Sequence, residues 1–87
     1  MIISAACYGY INGDWVIVPC HRHSDFFEIM KILKCSYDKT TIQQGFIDYK
    51  DSSKMRRFVS REDAAKIAFE CGQIKELKER LFSEDIY

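Results

Sequence analysis

The sequence has little of what marks several specialised classes of protein. Its 87 residues include one proline and four glycines, so no Pro-rich or Gly-rich linker divides the chain, and the length suits one domain. No apolar run approaches the roughly 20 residues of a membrane-spanning helix, so we expect no membrane contact. The 13 basic and 13 acidic residues give no net formal charge. Domains that bind long nucleic acid are clearly basic, so none is expected as a partner.

Cysteines are few and widely spaced. Cys7, Cys20, Cys35 and Cys71 form no C-x-x-C pair, and a zinc site would need Cys20, His21 and His23 together with a distant fourth ligand. The first residues show no basic segment followed by a small-residue cleavage site, which predicts an intracellular protein with reduced thiols. We expect neither a metal nor a cofactor.

The first half of the chain predicts a β-hairpin followed by a helix. Two β-rich runs, 2–11 and 15–18, flank Asn12-Gly13, a dipeptide that strongly favours a two-residue hairpin turn. Pro19 has no N–H for a sheet ladder, so we expect the second strand to end there. Ser24 is the predicted N-cap of an amphipathic helix of about 10 residues. Its apolar positions are Phe26, Ile29, Met30 and Leu33.

The second half has the same order of elements. The runs 42–49 and 56–59 predict another hairpin, and Ser60 predicts the cap of a long helix whose apolar stripe reaches Leu81. Gly72 lies within that stripe, at a point where the helix can break. The order β-β-α-β-β-α predicts a single α+β domain over the whole chain. Its small antiparallel sheet of two hairpins would carry both helices on one side.

Residues for catalysis are scarce. The two histidines are separated by one residue, and no nucleophile-elbow, Walker or metalloprotease string occurs. Activation of Cys20 by His21 or His23 is unfavourable, because neighbouring side chains of an extended chain point apart. We therefore predict a binding protein with no catalytic residue.

Two cationic clusters precede the expected helices. In the first, His21-Arg22-His23 stands before Ser24, where free backbone N–H groups and a guanidinium suit a small anion. The ordinary alternative is a solvated loop whose histidines pack on an edge strand. The second cluster consists of Lys54, Arg56, Arg57 and Arg61.

The second cluster includes an aromatic residue. Strand alternation predicts Arg57 and Val59 on one face, and Arg56, Phe58 and Ser60 on the other. An aromatic ring beside an arginine suits a purine and its phosphate. The alternative is a basic edge strand that charge protects from aggregation. Aromatic residues on the strands and at the chain end exceed what one buried sheet face needs, which predicts an interface or a pocket. They are Tyr8, Tyr10, Trp15, Phe46, Tyr49, Phe58 and Tyr87.

Several motifs follow one another from residue 44. The segment QGFIDYKDSSKMRRFVSRED (44–63) is continued by AAKIAFECGQI (64–74) and LFSEDIY (81–87). A Q-G-F strand, a hairpin turn, R-F-V-x-R-E-x-A, G-Q-I and S-E-D in this order resemble a small phage-encoded family. It is the first-described type of Thoeris anti-defence protein, which sequesters cyclic ADP-ribose signals. The upstream H-R-H also resembles a basic segment of that family.

The resemblance implies a cytoplasmic protein of the host cell that assembles into dimer-based homo-oligomers, up to a hexamer. Glycocyclic ADP-ribose would bind between protomers, and cyclic oligonucleotides of the kind used in CBASS defence at a second site. It implies that Phe46 stacks on the ligand base and that Arg22 belongs to the second site. Ser60 stands where Asn or Asp is usual, and the 49–55 turn is longer than in the family.

These observations lead to one main hypothesis, a nucleotide sponge that holds its ligand without cleaving it. Phe46 and Phe58 would stack on bases, and Ser60 with its helix start would supply hydrogen bonds. The predicted phosphate and anion contacts are Arg22, His23, Arg57 and Arg61. A protein-interaction module that inhibits a host defence or regulatory protein is the alternative from a different class. RNA binding through residues 54–61 is a third hypothesis, which predicts a steep salt dependence.

Overall fold

The computed structural model describes residues 1–86 and contains one four-stranded antiparallel sheet with two helices on one face. The strands are β1 (Ile2–Ile11), β2 (Asp14–Cys20), β3 (Gln43–Lys50) and β4 (Met55–Ser60), and the helices are α1 (Asp25–Ile32) and α2 (Arg61–Glu70). The strand order β2-β1-β3-β4 makes β2 and β4 the edges. The predicted α+β fold of two hairpins and two helices is confirmed.

The first hairpin forms as its turn residues predict. Asn12 and Gly13 have φ values of 51° and 83°, the left-handed conformations of a two-residue turn. The prediction that β2 ends at Pro19 is wrong by one residue, since the strand extends to Cys20. A proline is tolerated on an edge strand where its nitrogen faces away from the neighbouring strand, and β2 is such an edge.

The hydrophobic core lies between the sheet and the two helices. Ala5, Phe46 and Val59 from the sheet pack with the alanines of α2, and Cys7 and Ile11 pack with Phe26 and Met30 of α1. Leu33, predicted on the apolar stripe of α1, is instead exposed, since the helix ends one residue before it.

The two helix starts differ in their caps. Ser60 caps α2 as predicted, because its hydroxyl accepts a hydrogen bond from the Asp63 N–H at 3.1 Å. The expected side-chain cap at Ser24 is wrong, since Ser24 has helical dihedrals and makes no such bond. The Asp25 carboxylate accepts from the Arg22 N–H at 3.0 Å and so closes the turn before α1.

The chain after α2 departs from the sequence prediction. The helix ends at Glu70, and Gly72 takes a φ of 81°, which L side chains rarely adopt. The Gln73 side chain then binds both backbone groups of Ile2: its Oε1 accepts from the N–H at 2.7 Å, and its Nε2 donates to the carbonyl at 2.8 Å. Ile74 and Leu81 are buried outside any helix. Apolar spacing in this segment therefore reflects irregular packing.

Near the end of the described residues the chain forms a short turn. A 3-10 turn covers Ser83–Asp85, and Lys78 pairs with Asp85 at 2.5 Å. Arg80 lies 3.4 Å from Glu62. Residues 75–80 are not helical, so the apolar stripe predicted to reach Leu81 does not lie on one helix. The expectation for Tyr87 lies outside the described residues.

An ionic contact joins the chain start to the second hairpin. Asp48 is buried, and its carboxylate accepts from the amino group of Met1 at 2.8 Å and from Arg57 at 3.2 Å. Burial alone would raise the pKa of Asp48, but these hydrogen bonds outweigh it and lower the pKa below its ordinary value. Within residues 1–86, no helix is long and apolar enough to cross a membrane.

We predict that Gly45→Ala destabilises the fold, because the new methyl group would overlap the Val59 carbonyl and the Phe58 ring. Overpacking of this kind costs about 1–3 kcal/mol, measurable by urea denaturation. Gly9→Ala is the matched control, since the nearest atom there is the terminal methyl of Ile42, which can rotate away. Equal losses for the two variants would contradict the close contact at Gly45.

Candidate functional site

The sheet face opposite the helices carries a connected layer of aromatic rings. The Tyr8 ring lies 5.5 Å from Trp15 on β2 and 5.5 Å from Phe58 on β4, and Tyr10 lies 5.5 Å from Trp15 in an edge-on arrangement. Strand register places all four rings on this face. The layer therefore crosses the sheet from one edge strand to the other.

A cation stands at the β4 margin of this aromatic face. The Arg56 guanidinium lies 5.0 Å from the centre of the Tyr49 ring, directly across from it in the β3–β4 register. Arg56 and Phe58 share this face, whereas Arg57 and Val59 face the helices, as strand alternation predicted. Rings and a guanidinium on one surface offer stacking and charge together.

Four predicted site residues meet at the end of the sheet where both helices begin. His23 binds the carbonyl of Gly45 at 2.7 Å, and Gly45 is paired with Ser60. Arg61 follows Ser60, and its guanidinium donates to the Gln44 side chain. Arg22 donates to the Ser83 hydroxyl at 3.3 Å, and Arg61 lies 5.8 Å from the ring centre of the adjacent Phe82. We call Arg22, His23, Ser60 and Arg61 the helix-start cluster.

The environment of His23 favours its neutral form. Burial lowers the pKa of His23 below its ordinary value and the nearby Arg61 charge lowers it further, although the hydrogen bond to Gly45 opposes both. A carbonyl partner requires Nε2 to carry the proton. The cluster therefore combines two guanidinium cations with a neutral imidazole whose one N–H is bound to the Gly45 carbonyl.

Three predicted site residues lie outside this cluster: Phe58 belongs to the aromatic face, and Phe46 and Arg57 belong to neither. Phe46 has 0% of its surface exposed, and its ring packs edge-on against His23 at 5.1 Å. This corrects the expectation that Phe46 stacks on a ligand, because no base can reach a ring inside the core. Arg57 lies three positions before Ser60 on β4. Its guanidinium pairs with buried Asp48 and so lies away from the helix-start cluster.

Arg57 and Asp48 border a cleft of about 430 Å³ between the second hairpin and α2. Ile67 and Glu70 supply its helical wall. Both acidic and basic groups line this cleft, so it favours neither an anionic nor a cationic ligand. Among the predicted site residues, it includes only Arg57 within the described part of the chain.

The two buried thiols of the first hairpin interact with each other. Cys7 and Cys20 are both buried, and a hydrogen bond between them together with burial raises the pKa of Cys7. The protonated, buried Cys7 thiol is a poor nucleophile, whereas the same hydrogen bond lowers the pKa of Cys20. All four cysteines are free in the structure.

The aromatic face was only partly predicted from the sequence. Phe58 was a predicted site residue, but Tyr8 and Trp15 were recognised only as part of an aromatic surplus. Alternation along each strand could have grouped Tyr8 with Tyr10 and Trp15 with Ile17. Gln44 and Ser83, the partners of the two cluster arginines, gave no signal because their contacts span distant parts of the chain.

A family model for the phage T4 y16D protein matches residues 1–87. The chain belongs to the phage T4 y16D protein family. It is thus a phage protein of a small family, and the match covers both the aromatic face and the helix-start cluster. No curated protein and no solved structure matches the chain.

We predict that His23 makes the protein less stable as the pH falls from 7 to 5. The pKa of His23 is lowered in the folded state, so below about pH 6.5 the unfolded chain binds the proton more readily than the folded protein does. The free energy of unfolding therefore falls. The stability that neutral His23 contributes is fully present above pH 6.5. It is lost as the pH falls from there through the pKa of His23 in the folded protein. Urea denaturation at several pH values measures this slope.

His23→Gln keeps an N–H donor near Gly45 and removes the titration, so its stability should vary less over this range. His21→Gln is the control, since the His21 side chain is exposed and the decline should persist. A wild-type profile that is flat between pH 7 and 5 would contradict the role of His23.

Proposed function

We propose that this phage protein is a non-catalytic sponge for a cyclic nucleotide signal, either glycocyclic ADP-ribose or a cyclic oligonucleotide. The observation that carries the proposal is the aromatic layer of Trp15, Tyr8 and Phe58 on the sheet face that no helix covers. The phage family membership and the motif resemblance support the same proposal. The ligand is held and released unchanged.

Base stacking is the interaction that such a layer serves best. Each base stacked on an aromatic side chain contributes about 1–3 kcal/mol, and every base offers a flat face to stack. A cyclic nucleotide has few bases and a closed phosphate ring, so a surface with several rings and a bordering cation suits it. Arg56 is that cation on the aromatic face.

The helix-start cluster would complete the site by contacting phosphate. Ser60 shares a face with Phe58, two residues before it on β4, and Arg61 follows it in the first turn of α2. A helix start offers N–H donors and a positive dipole end to an anion. Arg22 donates to the Ser83 hydroxyl in the structure. When phosphate binds, the guanidinium would instead form a stronger, charge-assisted hydrogen bond to a phosphate oxygen.

Sequestration by this route acts through mass action. Reversible binding lowers the free messenger concentration below the threshold of a host effector, and no bond of the messenger breaks. At a ligand concentration 100-fold above the dissociation constant, specific binding stabilises the folded protein by about 2.7 kcal/mol.

Thermal-shift and calorimetric titrations with cyclic ADP-ribose isomers and with cyclic di- and trinucleotides test this proposal. We expect one class to raise the melting temperature and to be recovered intact after heat denaturation of the complex. Recovery of cleaved product would instead indicate an enzyme, and no shift with any nucleotide would overturn the sponge.

Phe58→Ala should weaken nucleotide binding by about 5- to 150-fold, because a lost base stack costs about 1–3 kcal/mol and 1.4 kcal/mol is a factor of ten. Phe69→Ala is the matched control, since Phe69 is also partly exposed but lies on α2, away from the aromatic face. Calorimetry gives the affinities and circular dichroism checks the fold. Equal affinities for the two variants would exclude the aromatic face as the ligand site.

Phe46→Ala distinguishes a core ring from a ligand ring. Truncating a buried phenylalanine costs about 3–5 kcal/mol, a large part of the stability of a domain this small. We expect a fall in the melting temperature without ligand. A variant that keeps wild-type stability but loses nucleotide binding would restore Phe46 to the site.

A protein-interaction module is the second candidate, favoured by the exposed apolar side chains of the same face. It predicts a partner interface of at least about 1,000 Å² and no response to nucleotides. The thermal-shift titration separates the two, since only the sponge requires a small molecule.

A further inference from the structure

The two edge strands of the sheet are protected very differently. β4 carries Arg56 and Arg57, with Lys54 in the turn before it, and charged side chains on an edge oppose pairing with another strand. β2 has no charged residue between Asp14 and Cys20. Its Trp15, Val16 and Ile17 are 54%, 37% and 41% exposed, on both faces of the strand.

The hairpin register shows which backbone groups of β2 point outward. Ile11 and Asp14 close the two-residue turn, so the pairs with β1 that exchange hydrogen bonds are those of Asp14, Val16, Val18 and Cys20. Trp15, Ile17 and Pro19 alternate with these and direct their backbone groups away from β1. Pro19 fits this assignment, because its missing N–H falls at an outward position.

We infer that β2 pairs antiparallel with β2 of a second copy of this chain, which joins the two sheets across a twofold axis. The twofold axis can pass beside Val16 or beside Ile17. In either case the outward backbone N–H and C=O groups of Trp15 and Ile17 form about four N–H···O bonds between the copies. No charge is placed against a like charge in the central part of either pairing. The Trp15 N–H, which now contacts the Asp14 carboxylate at 3.2 Å, is available for this exchange.

The apolar area at this edge suits a dimer contact. With Tyr10, the exposed side chains of Trp15, Val16 and Ile17 present roughly 350–400 Å² per protomer, about half of the roughly 800 Å² that each partner of a stable interface buries. The strand backbone, Val18 and Pro19 add to this area. Isologous twofold contacts are also the commonest mode of self-association.

The pairing has a consequence for the aromatic face. Trp15 lies on β2, so the rings of both protomers would approach the twofold axis on the same side of the joined sheet. The inference rests on the strand edge alone and holds whether or not a nucleotide binds there.

Sedimentation velocity and light scattering across a dilution series, without ligand, test the inference. We expect a mass of twice the 10.2 kDa chain or an even multiple of it. Ile17→Pro removes only an outward N–H, as Pro19 already does, and should halve that mass while circular dichroism stays unchanged. Arg56→Pro is the matched control at the other edge, and it should leave the mass unaltered.

Ile17→Lys covers the case in which Ile17→Pro fails to fold. It leaves the β1–β2 ladder intact and places two lysines directly opposite each other or one diagonal step apart across the joined edge, so it should also yield the smaller species. In the wild-type protein the amides of Trp15 and Ile17 should exchange slowly with solvent at high concentration and rapidly on dilution. A wild-type monomer at every concentration, or an assembly that survives both Ile17 variants, would overturn the inference.

Discussion

The pairing of β1 with β3 is the contact on which the rest of the structure depends. Each half of the chain is a hairpin followed by a helix, and an isolated two-stranded hairpin is at best marginally stable in water. The register Ala5–Phe46 and Ala6–Gly45 joins the two halves into one sheet. It also brings the starts of both helices to the same end, where His23 reaches the Gly45 carbonyl. The core, the helix-start cluster and the aromatic face all follow from this pairing.

Local signals predicted the fold better than they predicted the site. Asn12-Gly13 and Ser60 act through neighbouring residues, and both behave as their chemistry requires. The length of α2 could not be predicted in the same way, since Ile74 and Leu81 are buried at helical spacing by irregular chain. Apolar periodicity records burial and not the backbone conformation that achieves it.

The two phenylalanines of the second hairpin show why the site was only partly predictable. Phe46 and Phe58 lie on neighbouring strands, and alternation gives the relative face of residues along one strand. Which face the helices cover is decided by the whole topology, so no local pattern could assign Phe46 to the core and Phe58 to the open side. Arg57 is comparable: its partner Asp48 is set by the β3–β4 register. Neutral overall charge likewise concealed the convergence of Arg22 and Arg61.

The Gly72-Gln73-Ile74 segment connects the chain after α2 to the start of β1. Gly72 turns the backbone out of α2, Ile74 anchors it in the core, and the amide of Gln73 occupies both backbone groups of Ile2. A primary amide has a donor and an acceptor at nearly the spacing of a peptide group, so it substitutes for one residue of a neighbouring strand. A carboxylate in the same place could accept from the N–H but would face the Ile2 carbonyl with a second lone pair. Deamidation of Gln73 would therefore remove the hydrogen bond to the Ile2 carbonyl and loosen the start of the first strand, where Ile2 enters the core.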